Sequence, residues 1–249
     1  MCSFSAFLYN GKEKNMIIEL ANIKFNVLDF KPEKLIVRGK YGNYIREDVE
    51  TDVDIKVTSD EIDRSRIEYE SNDQEVCIET AAIRKIYETL LDFDAFVMHA
   101  ASISVDGRAY AFSASSGTGK STHMNLWKRK FEGKYQVVNG DRTIFRRNEE
   151  GRLLACGSPW CGKEMWESDV MVPVQGFCFI ERGLVNKTRK LDTEEAYFKL
   201  MNSTLIPGDS KRLMKQMDLM GWVSENVPVF VAEVNMDPEA ADVVYEAMK

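Results

Sequence analysis

Short apolar runs broken by polar residues dominate the first third of the chain. They fall at residues 16–20, 23–30, 35–38, 53–58, 67–70 and 76–79, separated by Gly, Asn, Asp and charged residues, and predict a β-rich region over residues 1–80. The period then changes. Ile83, Ile86, Tyr87, Leu90 and Leu91 recur at i, i+3, i+4, i+7 and i+8, the single apolar face of an amphipathic helix. Residues 96–105 read as one strand, Asp106-Gly107 as a tight hairpin turn, and residues 108–112 as the return strand.

Beyond that hairpin, strands and helices alternate. A helix-like segment covers residues 121–131 and a short strand covers 135–138. Strands at 143–147 and 152–156 flank a turn, a Gly/Pro-bounded loop covers 157–164, and a strand runs through 175–180. Asp192 with Glu195 three residues on signals a helix start, with Tyr197, Leu200, Met201 and Leu205 on its inner face. A further helix carries Leu213, Met217 and Met220 as core. A strand at 227–234 and a helix capped by Asp237, with Pro238 at its first position, close the chain. The pattern predicts a mixed α/β fold: residues 1–80 as the β-rich region and 81–249 as the second, α/β domain.

One stretch suggests chemistry. The return strand stops at Ser113-Ala114-Ser115-Ser116-Gly117-Thr118-Gly119-Lys120-Ser121, and a helix begins at once. Strand, loop of small residues, helix is the order of a phosphate-binding loop. Small residues let backbone N–H groups wrap a polyphosphate and the helix aims its positive end at it. The lysine reaches the outer phosphates, and a serine hydroxyl supplies an oxygen to Mg²⁺. Ala114 stands where the strict pattern has Gly. A Ser/Gly-rich surface turn is the competing reading.

Composition narrows the classes without choosing among them. The net charge of −7 argues against general affinity for nucleic acid or anionic membrane. Residues 120–152 nonetheless hold nine Lys or Arg against four Asp or Glu, a local excess of five positive charges suited to a polyanion. Five scattered cysteines without a Cys-x-x-Cys pair, and only two histidines, fit neither a disulfide framework nor a zinc site. No run of about 18 apolar residues exists to cross a membrane, and a cytosolic protein is expected.

Two more residues bear on the loop. The hairpin places His99 on a strand beside it, as a general acid or base or as a hydrogen-bonded structural histidine. Asp141 ends the 135–138 strand in Asn139-Gly140-Asp141-Arg142, about where a nucleotide kinase holds its second Mg²⁺ contact, although aspartates also end strands on local grounds. In the 157–164 loop, Trp160 reads as a packing anchor, with Lys163 and Glu164 available to a ligand.

With His99, the 114–121 loop and Asn139-Gly140-Asp141 in order, the chain resembles the HPr kinase/phosphorylase family, whose fold is related to phosphoenolpyruvate carboxykinase. Residues 80–249 are similar to a group of bacterial HPr-kinase-like proteins of unassigned substrate, some of whose relatives phosphorylate a serine in ribosomally made peptides. The resemblance implies a carboxykinase-like P-loop core binding ATP, with GTP not excluded. Ser115, Ser116, Gly117, Thr118, Gly119, Lys120, Ser121 and Thr122 would lie on the nucleotide, and Ser121 and Asp141 on Mg²⁺. His99, Asp141 and Lys120 would be catalytic, and Arg142, Lys163 and Glu164 would lie near the acceptor. The family carries two consecutive aspartates where this chain has Gly140-Asp141, and the first is its proposed base. The base therefore stays open between His99 and Asp141. The expected function is phosphoryl transfer to a hydroxyl of a peptide, protein or small molecule. A non-catalytic nucleotide-binding module in a peptide-modification system is the alternative. Carboxykinase chemistry ranks last, because those enzymes are about twice this length.

Overall fold

The computed structural model describes residues 15–28, 30, 41–115 and 117–249. The strand expected at 35–38, Cys2 and Ser116 lie outside them. The fold is mixed α/β, with two sheets. Strands β1 (Met16–Leu20), β2 (Ile23–Val27), β3 (Ile45–Arg46) and β4 (Val53–Ile55) form a four-stranded sheet in the order β3-β1-β2-β4. Period-two alternation makes β1 and β2 half-buried, each with every second residue in the core.

The strands expected at 67–70 and 76–79 are absent: residues 67–68 end a helix and 69–70 form a turn, and 76–79 are helical. Helix α1 (Ser59–Glu68) starts at a capping box in which the Thr58 side chain accepts from Glu61 N and the Glu61 carboxylate accepts from Thr58 N. Helix α2 (Gln74–Leu90) starts at Asp73, whose carboxylate accepts from the backbone of Glu75 and Val76. Both caps satisfy orphan helix donors, and that local chemistry outweighs a few β-branched residues. The residue-80 boundary therefore falls inside α2, which buries Ile83, Ile86, Tyr87 and Leu90 as the periodicity predicts. Helix α2 shares one core with the small sheet, and that core also takes in Val97, Ile144, Cys156 and Trp160.

The second sheet has nine strands, among them β5 (Ala95–His99), β6 (Ala101–Val105), β7 (Arg108–Ser113), β8 (Tyr135–Asn139), β9 (Arg142–Arg147) and β10 (Leu153–Cys156). The long β11 (Met171–Arg182), β12 (Lys187–Lys190) and β13 (Val229–Val234) complete it. The single strand expected over 96–105 is broken at Ala100. Its first half pairs with β9 and its second with β7 and β8. Strands β7, β11 and β13 run parallel, so their carboxyl ends lie side by side.

Helices α3 (Lys120–Lys130) and α6 (Glu239–Met248) contribute to one core with the sheet, whereas α4 (Thr193–Met201) and α5 (Ser210–Asn226) contribute to another. The Asp192–Glu195 capping box opens α4 as expected; Leu205 lies past its end and Met217 on α5 is exposed. Pro238, one residue after the expected Asp237, occupies the cap position of α6.

His123 on α3 is a buried histidine in the core. Its Nε2 accepts from Trp127 Nε1 at 2.9 Å, and burial pushes its pKa down from 6.5 to about 4. As pH falls from 6.5 toward 4 the unfolded chain binds a proton that the folded chain refuses, so stability is lost in that window, by up to about 3 kcal/mol. His123→Gln, which keeps an acceptor for Trp127, is expected to flatten the fall in urea-unfolding free energy between pH 7 and 4.5. An unchanged slope would assign the acid sensitivity elsewhere.

Candidate functional site

Strand β7 ends at Ser113, and α3 begins at Lys120 with Gly119 in the cap position at φ 122°. Gly117 is also left-handed, at φ 75°, and Thr118 N donates to Ser115 O at 3.0 Å. The glycines permit a turn that side-chain-bearing residues would strain. Among the described residues no side chain caps α3, and no acidic residue sits in its first turn. Its leading N–H groups and its positive dipole end are therefore open to an anion. Arg182, at the end of β11, braces the turn from outside by donating to Gly117 O at 2.6 Å and Thr118 O at 3.4 Å. Nothing in the sequence around Arg182 signalled this role.

Three of the expected residues converge. Lys120 Nζ donates to Asp141 Oδ1 at 2.9 Å, and His99 Nε2 lies 3.2 Å from the same oxygen. Asp141 is held in turn by Asn139, whose Oδ1 accepts from Asp141 N and Arg142 N while its Nδ2 donates to Ser158. Burial alone raises the Asp141 pKa, but the His99 hydrogen bond and the Lys120 charge outweigh it and hold the carboxyl well below the usual range. Asp141 is thus a fixed carboxylate and a poor proton acceptor. His99 reaches it because the chain breaks at Ala100, which leaves His99 at the end of β5, opposite Arg142 in register, with its side chain half exposed.

The 157–164 loop closes the other side. Ser121 Oγ donates to Glu164 Oε1 at 2.9 Å. Trp160 anchors the loop as expected, edge-on to Tyr87 with centroids 5.0 Å apart, its Nε1 donating to Tyr41 Oη at 2.8 Å. Tyr44 Oη donates to Glu167 just beyond the loop. Residues 41–44, in the N-terminal region where no chemistry was legible, thus help hold the segment that carries Glu164. Gly162 and Gly140 permit the fit. A Cβ at Gly162 would stand 2.9 Å from Asp141 Cβ, and one at Gly140 would stand 2.9 Å from Cys161 O and 3.2 Å from Trp166 Cβ.

A cavity of about 690 Å³ opens beside these groups, lined among others by His99, Ser115, Asp141, Arg142, Tyr87 and Lys199. Arg142 Nε is 4.0 Å from Asp141 Oδ2. Burial alone lowers the Arg142 pKa, but Tyr87, Tyr69 and Asp141 raise it above the ordinary arginine value. Lys163 is exposed, and neither it nor Glu164 lines the cavity.

Among the described residues no three His, Cys, Asp or Glu side chains form a metal cluster. What stands at the loop is an oxygen set: the Ser121 hydroxyl bonded to one carboxylate, with a second carboxylate on the neighbouring Lys120. That set fits Mg²⁺, which takes one or two carboxylates and completes its shell with water and phosphate oxygens. No described helix is long and apolar enough to cross a membrane.

No family model and no curated protein matches the chain. Among solved structures it is similar to the Hpr(Ser) kinase/phosphatase from Coxiella burnetii. The two share 11% identity and a TM-score of 0.35, covering 61% of this chain and 95% of that one. A likeness of that degree carries no argument about activity.

Proposed function

We propose that the chain is a Mg²⁺-ATP-dependent kinase that transfers a phosphoryl group to a hydroxyl, with a P-loop core of the HPr kinase and carboxykinase kind. The observation that carries this reading is the convergence of Lys120, Asp141 and His99 beside an uncapped helix start. In this reading the amides from Ser115 to Thr122 hold the phosphates and Lys120 reaches the outer ones, with GTP an admissible donor. Ser121, Asp141 and Glu164 would hold Mg²⁺, which would supply charge neutralisation to the phosphates. The cavity receives the acceptor, a peptide or small-molecule hydroxyl. Arg142, cationic in its wall, offsets charge on the transferring group or fixes the acceptor.

The base is His99. If its Nε2–H donates to the fixed carboxylate of Asp141, the neutral ring keeps Nδ1 as its acceptor, ready to take the hydroxyl proton. The position used by the resembled family carries no carboxylate here and is crowded, since a Cβ at Gly140 would stand 2.9 Å from Cys161 O. His99→Ala is expected to lower the rate of phosphoryl transfer by about 10²–10⁴-fold with little change in ATP affinity. An unchanged rate in rapid-quench measurements would remove His99 from the chemistry. Phosphate transfer to a candidate acceptor, detected by mass spectrometry, separates this reading from a non-catalytic nucleotide-binding module.

A further inference from the structure

We propose that the turns following β11 and β13 form the seat for the base of the bound nucleotide, built from Leu184, Val185 and Met236. The inference rests on the nucleotide reading above and adds to it a site for the nucleoside end. Strands β7, β11 and β13 are parallel, and in open α/β sheets ligands bind outside the carboxyl ends of the strands. The phosphate loop follows β7, and Arg182 joins it directly to the end of β11 through Gly117 O and Thr118 O.

The chain after Arg182 then passes over the end of β13 and is stapled there. Gly183 N donates to Val234 O at 3.0 Å, and Asn235 N to Asn186 Oδ1 at 2.9 Å. Asn235 Nδ2 donates to Leu184 O at 3.5 Å and to Asp237 Oδ2 at 2.8 Å. A Cβ at residue 183 would stand 2.9 Å from Glu233 Cβ, so only glycine allows this close crossing. On that held backbone Leu184 is 96% exposed, Val185 71% and Met236 77%. Apolar side chains kept in water on a hydrogen-bonded frame contribute nothing to the core.

Direction decides the occupant. Lys120, Asp141, Ser121 and Glu164 draw the terminal phosphates toward the β8 side of the loop. The nucleoside must then leave the other way, over β11 and β13. Apolar and thioether side chains suit the flat face of a base, and the neighbouring Asn186, Asn235 and Asp237 suit its polar edge. Three apolar residues set among polar ones fall well short of the roughly 1,000 Å² that a protein partner needs.

The test is calorimetric titration of the full chain, with Mg²⁺ present, using ATP and inorganic tripolyphosphate as separate ligands. The wild-type chain is expected to bind ATP about tenfold or more tightly than tripolyphosphate. Leu184→Ser combined with Met236→Ser should erase that preference and leave tripolyphosphate affinity and thermal unfolding unchanged. Equal affinity of the wild type for both ligands overturns the seat and spares the phosphate loop. So does a double variant with undiminished ATP affinity, or one that loses both ligands equally. Binding of neither ligand by the wild type overturns the loop and the seat together.

Discussion

Lys120→Ala is expected to lower Mg²⁺-ATP turnover by about 10²–10³-fold or more, the cost of removing one preorganised charge from a phosphoryl-transfer site. The Lys120 side chain is only 12% exposed and its ammonium already points at Asp141, so in the proposed reading it would meet the phosphates without having to be ordered first. The fold should survive the change. Helix α3 is held by Met124 and Trp127 in the core, and Asp141 keeps the hydrogen bond its backbone N–H donates to Asn139 Oδ1, and its neighbour His99. A thermal unfolding midpoint within a few degrees of wild type, together with lost turnover, is the expected pair of results. Turnover retained at the wild-type rate would falsify the kinase assignment.

Gly140→Asp is expected to weaken the proposed phosphoryl transfer, although it creates the pair of aspartates found in the resembled family. A Cβ there would press on Cys161 O at 2.9 Å and on Trp166 Cβ at 3.2 Å, so the 157–164 loop must move or the strand end must shift. Overpacking of this kind costs about 1–3 kcal/mol, a few degrees in the unfolding midpoint of a chain this size. The displaced loop also carries Glu164 off Ser121, so activity should fall by about tenfold or more. Gly140→Ala serves as the control, because the Cβ alone makes the contact. A gain in activity with the aspartate would show that the loop yields and that the second carboxylate can act as base.

These two residues also show how legibility differs across the site. The turn that carries Lys120 could be read directly, because its small residues, lysine and helix start are contiguous, and the structure places them as strand, turn and helix. Asp141 was legible for a similar reason, as the end of a short strand followed by a turn. Glu164 and Arg182 were not legible in their roles. Each reaches the loop from a distant segment, and only the closure of the sheet brings them to Ser121 Oγ and Gly117 O. The β-type runs at 67–70 and 76–79 misled because Thr58 and Asp73 cap helices that take in residues 67–68 and 76–79. His99 was placed beside the loop, but its orientation depends on the break at Ala100, which a continuous apolar run conceals.

The order of small residues, lysine and aspartate along the chain thus determines an anion-ready helix start with a carboxylate nearby, since turn geometry and helix polarity depend on neighbouring residues alone. Tertiary structure decided the rest. Tyr41 and Tyr87 grip Trp160 and so help hold Glu164 on Ser121, the Cys161 carbonyl lies where a side chain at Gly140 would begin, and Asp141 fixes His99. Those assignments depend on which distant surfaces pack together, and packing is set by shape and burial across the whole chain rather than by any local pattern.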